Sequence, residues 1–324
     1  MRAFELHSYD GPAGLRPVEI PAPTPDDGQV VLDVRAIGIN FPDLLMTRGQ
    51  YQYRPDLPVV PGCEVAGTIS SAPADSGWSP GERAAAFVWQ GGYAEQVAVP
   101  LHTVTRAPDG LDLASTAAMV VNYHTVHFAL ARRARVAAGE TVLVLGAGGG
   151  VGTAGLQVAR GLGARVFAGV ATDSQEATAR AAGTDEVVRL EAGFSEQLRD
   201  LTGGRGVDVV LDPLGDWLFD EAIRGLAPEG RLLVVGFAAG SIPSLKVNRL
   251  LLRNASAVGV AFGAFLGLEP ELMAVQGDSL ARMVAAGVID PHISERYGFD
   301  DLPEALERLA RGGLPGKAVV EVPG

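Results

Sequence analysis

The chain has 324 residues, 47% of them hydrophobic, and a net charge of −12 from 26 Lys and Arg against 38 Asp and Glu. That length sustains about two domains with buried cores and excludes a disordered chain. The acidic balance opposes nucleic-acid and anionic-membrane partners, and the single cysteine, Cys63, excludes both an internal disulfide framework and a Cys-clustered zinc site. Residues 1–7 lack the apolar run of a signal peptide, and the longest weakly polar stretch, 255–268, is too short to span a bilayer. The expectation is a soluble protein of the reducing cytoplasm.

In chain order, the first part, to about residue 115, is rich in Pro and Gly and carries short alternating runs. Residues 30–39, 65–69 and 83–88 read as strands, separated by turn signals such as Pro80-Gly81 and Gly91-Gly92. Strands at this spacing predict a small, partly open barrel. The texture then changes. Residues 113–134 are Ala-rich with a helical pattern, and 141–145 form a continuous apolar run ending in glycines, as in a buried parallel strand. Helical stretches at 152–162 and 175–182 alternate with strands at 165–170, 186–189, 207–212 and 231–236. This alternation predicts βαβ units in a doubly wound parallel sheet. Residues 269–286 and 302–311 read as helices and 317–322 as a last strand, a tail too short for a domain and expected to pack on the barrel.

Between the run 141–145 and the next helix stands Gly146-Ala147-Gly148-Gly149-Gly150-Val151-Gly152. The G-x-G-x-x-G spacing is kept by Ala147, Gly149 and Gly152. The first small residue makes the turn, the second lets a pyrophosphate approach the backbone, and the third brings helix and strand together. The helix N-terminus offers free N–H groups to the anion. Inside a βαβ series this predicts dinucleotide binding. An NAD site carries an acid at the end of the second strand, but Ala171 stands there, with Asp173 just beyond. The absent acid favours a 2′-phosphate and hence NADPH, with NADH as the alternative. The candidate basic partners are Arg180 and Arg189.

With these residues, the chain resembles the zinc-independent NADPH:quinone oxidoreductase branch of the medium-chain dehydrogenase/reductase superfamily along essentially its whole length. Gly139-Glu140, Leu143, the glycine run, Gln157 and Arg160 match the branch's loop signature. Gly38-Ile39-Asn40-Phe41-Pro42-Asp43, Gly49, Tyr51, Pro61-Gly62-Cys63-Glu64, Asp212-Pro213, Gly236-Phe237 and Gly316-Lys317 match further. The resemblance implies an α/β chain in which a GroES-like β-barrel catalytic domain (1–120, completed by 262–324) carries an inserted Rossmann domain (121–261). It implies a cofactor cleft in which Asn40 lies beside the nicotinamide and Tyr123 and Thr125 line the entry. It places Gly149, Gly150 and Val151 at the pyrophosphate and Thr172 and Ser174 at the adenosine ribose. It sets Gly236, Phe237, Phe262 and Lys317 around the nicotinamide half. Two positions depart from the branch: Gln175 stands where a Lys often holds the 2′-phosphate, and Leu190 where a Tyr is usual.

Zinc-dependent relatives need a Cys where Asn40 stands and Gly-His-Glu where Gly62-Cys63-Glu64 stands, so no catalytic metal is expected. His124 and His127, three apart, lack a third ligand in pattern, and Cys63 reads as a small apolar filler. Asp43 reads as a helix N-cap. Tyr51 and Tyr53 read as proton donors, as walls for a flat substrate or as packing aromatics. Hydride transfer asks the protein mainly for alignment in a dry cavity. The expected function is therefore reduction of quinones or other α,β-unsaturated carbonyls, with Asn40 and Tyr51 as the catalytic candidates. An enoyl-thioester reductase and a non-catalytic NADPH-binding sensor are the alternatives. The apolar, charge-free run 257–261 predicts an edge strand that pairs with a second copy in a homodimer.

Overall fold

A computed structural model describes residues 1–324. In chain order the elements are β1 (Arg2–Leu6), β2 (Leu15–Glu19), β3 (Gln29–Gly38), α1 (Phe41–Thr47), β4 (Glu64–Ser71), β5 (Arg83–Phe87), β6 (Gln96–Pro100), β7 (Val104–Arg106) and α2 (Leu113–His127). They continue with β8 (Thr141–Leu145), α3 (Gly150–Gly161), β9 (Arg165–Val170), α4 (Asp173–Ala181), β10 (Glu186–Arg189), α5 (Phe194–Leu201), β11 (Val207–Asp212) and α6 (Leu218–Gly225). The last are β12 (Leu226–Val234), α7 (Asn248–Arg253), β13 (Ser256–Gly259), α8 (Phe262–Leu266), α9 (Leu272–Ala285), β14 (Ile293–Gly298), α10 (Leu302–Ala310) and β15 (Lys317–Glu321).

Two compact units emerge: residues 1–121 with 265–285 and 293–324, and residues 122–264 with 286–292. The sequence expectation places 262–264, and also 286–292, with the first unit. The second unit holds the latter segment through Gln157, whose Nε2 donates to the Asp290 carbonyl at 2.9 Å while its Oε1 accepts from the Asp290 N–H at 3.1 Å.

In the first unit, β14-β15-β3-β4-β5-β7 form one sheet, with β6 also paired to β3. Leu32, Ile37, Val65, Tyr93 and Leu302 fill its core. The tail does return to the barrel, since β15 pairs antiparallel with β3.

In the second unit all strands are parallel in the order β10-β9-β8-β11-β12-β13. That is the doubly wound dinucleotide-binding order, reversing direction between β8 and β11. Strands β8 and β11 are buried along their whole length, which explains the apolar runs 142–145 and 209–211; the buried Asp208 of β11 accepts from the Thr141 N–H of β8 at 2.8 Å. The Ala-rich stretch after residue 113 begins as α2 but continues over Phe128–Ala134 as a π-helix, which the periodicity did not distinguish.

Candidate functional site

The glycine loop joins β8 to α3. Its left-handed residue is Gly146, at φ +62°, so the turn falls one position before the Ala147 assigned to it by spacing. Gly149 occupies the N-cap of α3 at φ −87° and ψ 179°. A Cβ on Gly149 would meet nothing nearer than the Gly146 carbonyl oxygen at 3.6 Å, so this face of the loop is open. Gly152 is the opposite case. A Cβ there would stand 2.2 Å from the Gly146 carbonyl oxygen and 2.6 Å from Ala147 Cα. The small residues of the fingerprint thus divide into one that keeps helix on strand and one that leaves room for a ligand at N–H groups with a positive dipole end.

Beyond β9, Thr172 caps α4 and accepts from the Gln175 N–H at 3.2 Å. Thr172 and Ser174 are exposed. Gln175 turns inward instead. Its Oε1 accepts from the Ala171 N–H at 2.8 Å, and a Cβ on Gly148 would fall 2.8 Å from Gln175 Cβ. The structure separates the two candidate arginines. Arg189 ends β10 in register with Val170, whereas Arg180 lies in the last turn of α4. At the ends of β11 and β12, Asp212 is buried and accepts from the N–H groups of Leu214 (2.9 Å) and Gly215 (2.8 Å). Its carbonyl accepts from Val235 N–H at 2.9 Å, which ties the loop after β11 to the Gly236-Phe237 segment. Leu214 in turn reaches the glycine loop, since a Cβ on Gly146 would lie 3.2 Å from it. Gly149, Gly150, Val151, Thr172, Ser174, Gly236 and Phe237 all stand in the loops or first helical turns that follow the C-terminal ends of parallel strands, where ligands bind in open α/β sheets.

Two residues assigned to the cofactor lie deeper. The Tyr123 ring is buried and its hydroxyl donates to Gln157 Oε1 at 2.7 Å; burial pushes its pKa well up. Phe262 is buried and stacks on His124 with ring centroids 5.8 Å apart. Thr125 is half-buried on α2.

In the first unit, Asn40, Glu64 and Lys317 form a fully buried polar cluster. Lys317 Nζ pairs with Glu64 Oε2 at 2.6 Å and donates to Asn40 Oδ1 at 2.5 Å, while Asn40 Nδ2 donates to Glu64 Oε2 at 2.8 Å. Glu64 Oε1 accepts from the Val121 N–H at 2.6 Å. Both ends of the Asn40 amide are therefore spent. Asn40, not Asp43, holds the N-cap position of α1. Asp43 stands three residues in and its Oδ2 accepts from the Asn40 N–H at 2.9 Å, while Oδ1 accepts from the Cys63 N–H at 3.1 Å. Cys63 is buried among carboxylates, and its thiol is pushed up first by burial and then by Asp43 and Glu64. Tyr51 is only partly buried; desolvation raises its hydroxyl to about 12, so it keeps its proton at neutral pH.

Asp43 makes a prediction of its own. Burial raises its carboxyl to about 6, against the hydrogen bonds from Cys63 and Asn40 that lower it. Between an unfolded value near 3.9 and about 6, the native state binds the extra proton, so stability falls as pH rises through that window. At 1.36 kcal/mol per unit the full change is about 3 kcal/mol. Urea unfolding should show Asp43→Asn losing much of the stability difference between pH 4 and pH 6.5. An unaltered slope would contradict this.

The residue range 26–109 matches the alcohol dehydrogenase GroES-like domain, and 150–275 matches the zinc-binding dehydrogenase family. Quinone oxidoreductase-like protein 2 of Bos taurus is 35% identical over 313 residues, covering 95% of this chain and 90% of the relative. A probable oxidoreductase from Mycobacterium abscessus is 45% identical with a TM-score of 0.91, covering 99% of this chain and 98% of the other. A mycobacterial protein solved in complex with NADPH is 30% identical with a TM-score of 0.91, covering 99% of each chain. Sequence and fold thus agree along the whole length, and the chain belongs to the quinone oxidoreductase branch of the medium-chain dehydrogenase/reductase superfamily, a family of oxidoreductases.

Proposed function

We propose that this protein is an NADPH-dependent, zinc-independent reductase of quinones or other α,β-unsaturated carbonyls, acting as a cytoplasmic homodimer. The observation that carries the reading is the open cradle at Gly149, at the start of α3 in a sheet of dinucleotide-binding order. The NADPH bound to a structural relative and the quinone oxidoreductase names of others support the cofactor and the acceptor class.

Bound NADPH would supply the hydride. Gly149, Gly150 and Val151 would hold the pyrophosphate with their backbone, and Thr172 and Ser174 the ribose end. Gly236 and Phe237, fixed through Asp212, would flank the nicotinamide half. The Asn40–Glu64–Lys317 cluster holds the chain from Gly38 to α1 rigid, so Asn40 and Lys317 serve by positioning. The partly exposed Tyr51 is the group of the first unit suited to contact an acceptor. Quinone reduction consumes one further proton, which water supplies.

A catalytic zinc does not fit. Asn40, Cys63 and Glu64 stand where ligands would be needed, and the Lys317 ammonium already neutralises Glu64. No group of three or more His, Cys, Asp and Glu converges in a metal-holding arrangement. Activity should survive chelators, and elemental analysis should find no stoichiometric zinc. A tightly bound zinc required for turnover would overturn this part of the reading.

The direct test is stopped-flow oxidation of NADPH with 1,4-benzoquinone and with crotonyl-CoA. Fast turnover of the first is expected. Preference for the thioester would identify an enoyl reductase, and binding without turnover a sensor.

For assembly, β13 is an edge strand paired only with β12, and Ser256, Ala257 and Gly259 are exposed. An unpaired apolar edge invites a second copy. Light scattering at micromolar concentration should give a dimer; a monomer would contradict it.

A further inference from the structure

We propose that Arg189 is the residue that recognises the 2′-phosphate of NADPH, and that Asp173 is the counter-charge that moderates this preference. The inference rests on the dinucleotide reading above. In a sheet of this order the adenosine ribose meets the C-terminal end of the second strand, which here is the end of β9. Arg189 is in register with Val170, one residue before the exposed Ala171, on the adjacent strand about 4.8 Å away. Arg180 lies nine residues beyond Ala171, near the far end of α4, about 10 Å along the helix axis from its start. It pairs with Glu176 Oε1 at 2.7 Å.

Arg189 already faces two carboxylates. Its Nη2 pairs with Asp173 Oδ1 and, at 2.7 Å, with Glu176 Oε2. Both pairs fall on one nitrogen. The rest of the fork, Nη1 and Nε, keeps donors for an anion, and a guanidinium is suited to bidentate phosphate contact. Asp173, Glu176, Arg180 and Arg189 together carry no net charge. Neutralising Asp173 leaves a net positive site beside the ribose. The Asp173 side chain is 97% exposed, so its hold on Arg189 is screened and easily exchanged for phosphate. Gln175, packed on the glycine loop and bonded to Ala171, is not placed to take over.

The test is a fluorescence titration of NADPH, NADH and 2′,5′-ADP against wild type and variants, which reads binding without turnover. Arg189→Ala should weaken NADPH and 2′,5′-ADP by about tenfold to a hundredfold and NADH by less than about twofold. Arg189→Lys should fall between. Asp173→Asn should tighten NADPH about threefold, and Arg180→Ala should change nothing beyond about twofold. All three substituted residues lie at the surface or partly so, and unchanged thermal midpoints would verify the folds of the four variants. An unchanged NADPH to NADH ratio in Arg189→Ala overturns the proposal. So does a loss of NADH affinity in Asp173→Asn, which would put that carboxylate on the ribose hydroxyls. Wild type binding neither dinucleotide would instead overturn the reading beneath it.

Discussion

Replacing Lys317 by Met should cost about 3–5 kcal/mol of stability, a large share of the 5–15 kcal/mol that ordinarily holds a domain folded. Methionine keeps most of the stem, so packing changes little. What is lost is the cation 2.6 Å from Glu64 and the donor to Asn40 Oδ1. Glu64 is 0% exposed and cannot turn to water. Its carboxylate lies against Gly38, where a Cβ would fall 2.0 Å from Oε2, and its other oxygen is fixed by the Val121 N–H. A buried carboxylate deprived of its partner leaves an uncompensated charge, which is the expensive way to break such a pair. Denaturant unfolding should therefore show a much lower midpoint with an unchanged slope. Adding Glu64→Gln should recover at least about 1 kcal/mol, because the double variant no longer buries a lone charge. A cost under about 1 kcal/mol for Lys317→Met, or additive losses in the double variant, would mean that the cluster is not electrostatically coupled.

The same cluster marks where the sequence stops being legible. Apolar runs mark β8 and β9, and the apolar centre 209–211 marks β11, because a strand buried on both faces draws mostly on apolar residues. The glycine loop was readable for a related reason, since close backbone approach leaves only glycine at Gly152. Polar pairings across long separations leave no such trace. Nothing in the spacing of Asn40, Glu64 and Lys317 shows that they meet, 277 residues separating the first from the last. Asp43 was assigned the cap that Asn40 occupies because both residue types suit it and only the backbone angles decide. The resemblance assigns Tyr123 and Phe262 to the cofactor, but nothing local in the sequence shows that the Tyr123 hydroxyl bonds Gln157 or that the Phe262 ring stacks on His124. Arg180 and Arg189 were equivalent as cations in a sequence. Strand register distinguishes them, and register is not written in local composition.

A pair of glycine substitutions should separate folding from binding in the loop that defines the second unit. Gly152→Val should collapse that unit. The new Cβ would stand 2.2 Å from the Gly146 carbonyl oxygen and within 2.7 Å of two Ala147 backbone atoms, none of which can swing aside as a side chain would. Relief requires α3 to lift from β8, the central strand between β9 and β11. Overpacking that side chains can absorb costs about 1–3 kcal/mol. Here backbone must move and β-branching adds two further carbons, so the expected loss lies at or above that range. Gly149→Val should behave in the opposite way. Its φ of −87° and ψ of 179° suit a β-branched residue, and its Cβ has ordinary clearance at 3.6 Å. The fold should lose no more than about 1 kcal/mol for the poorer cap. Its side chain would nonetheless stand over the N–H groups that begin α3, where the pyrophosphate must come within hydrogen-bonding distance. NADPH affinity should fall at least about a hundredfold, close to 3 kcal/mol. Thermal unfolding and cofactor titration on both variants decide the matter. If folded Gly149→Val binds NADPH like wild type, the loop is a structural turn and the cofactor lies elsewhere.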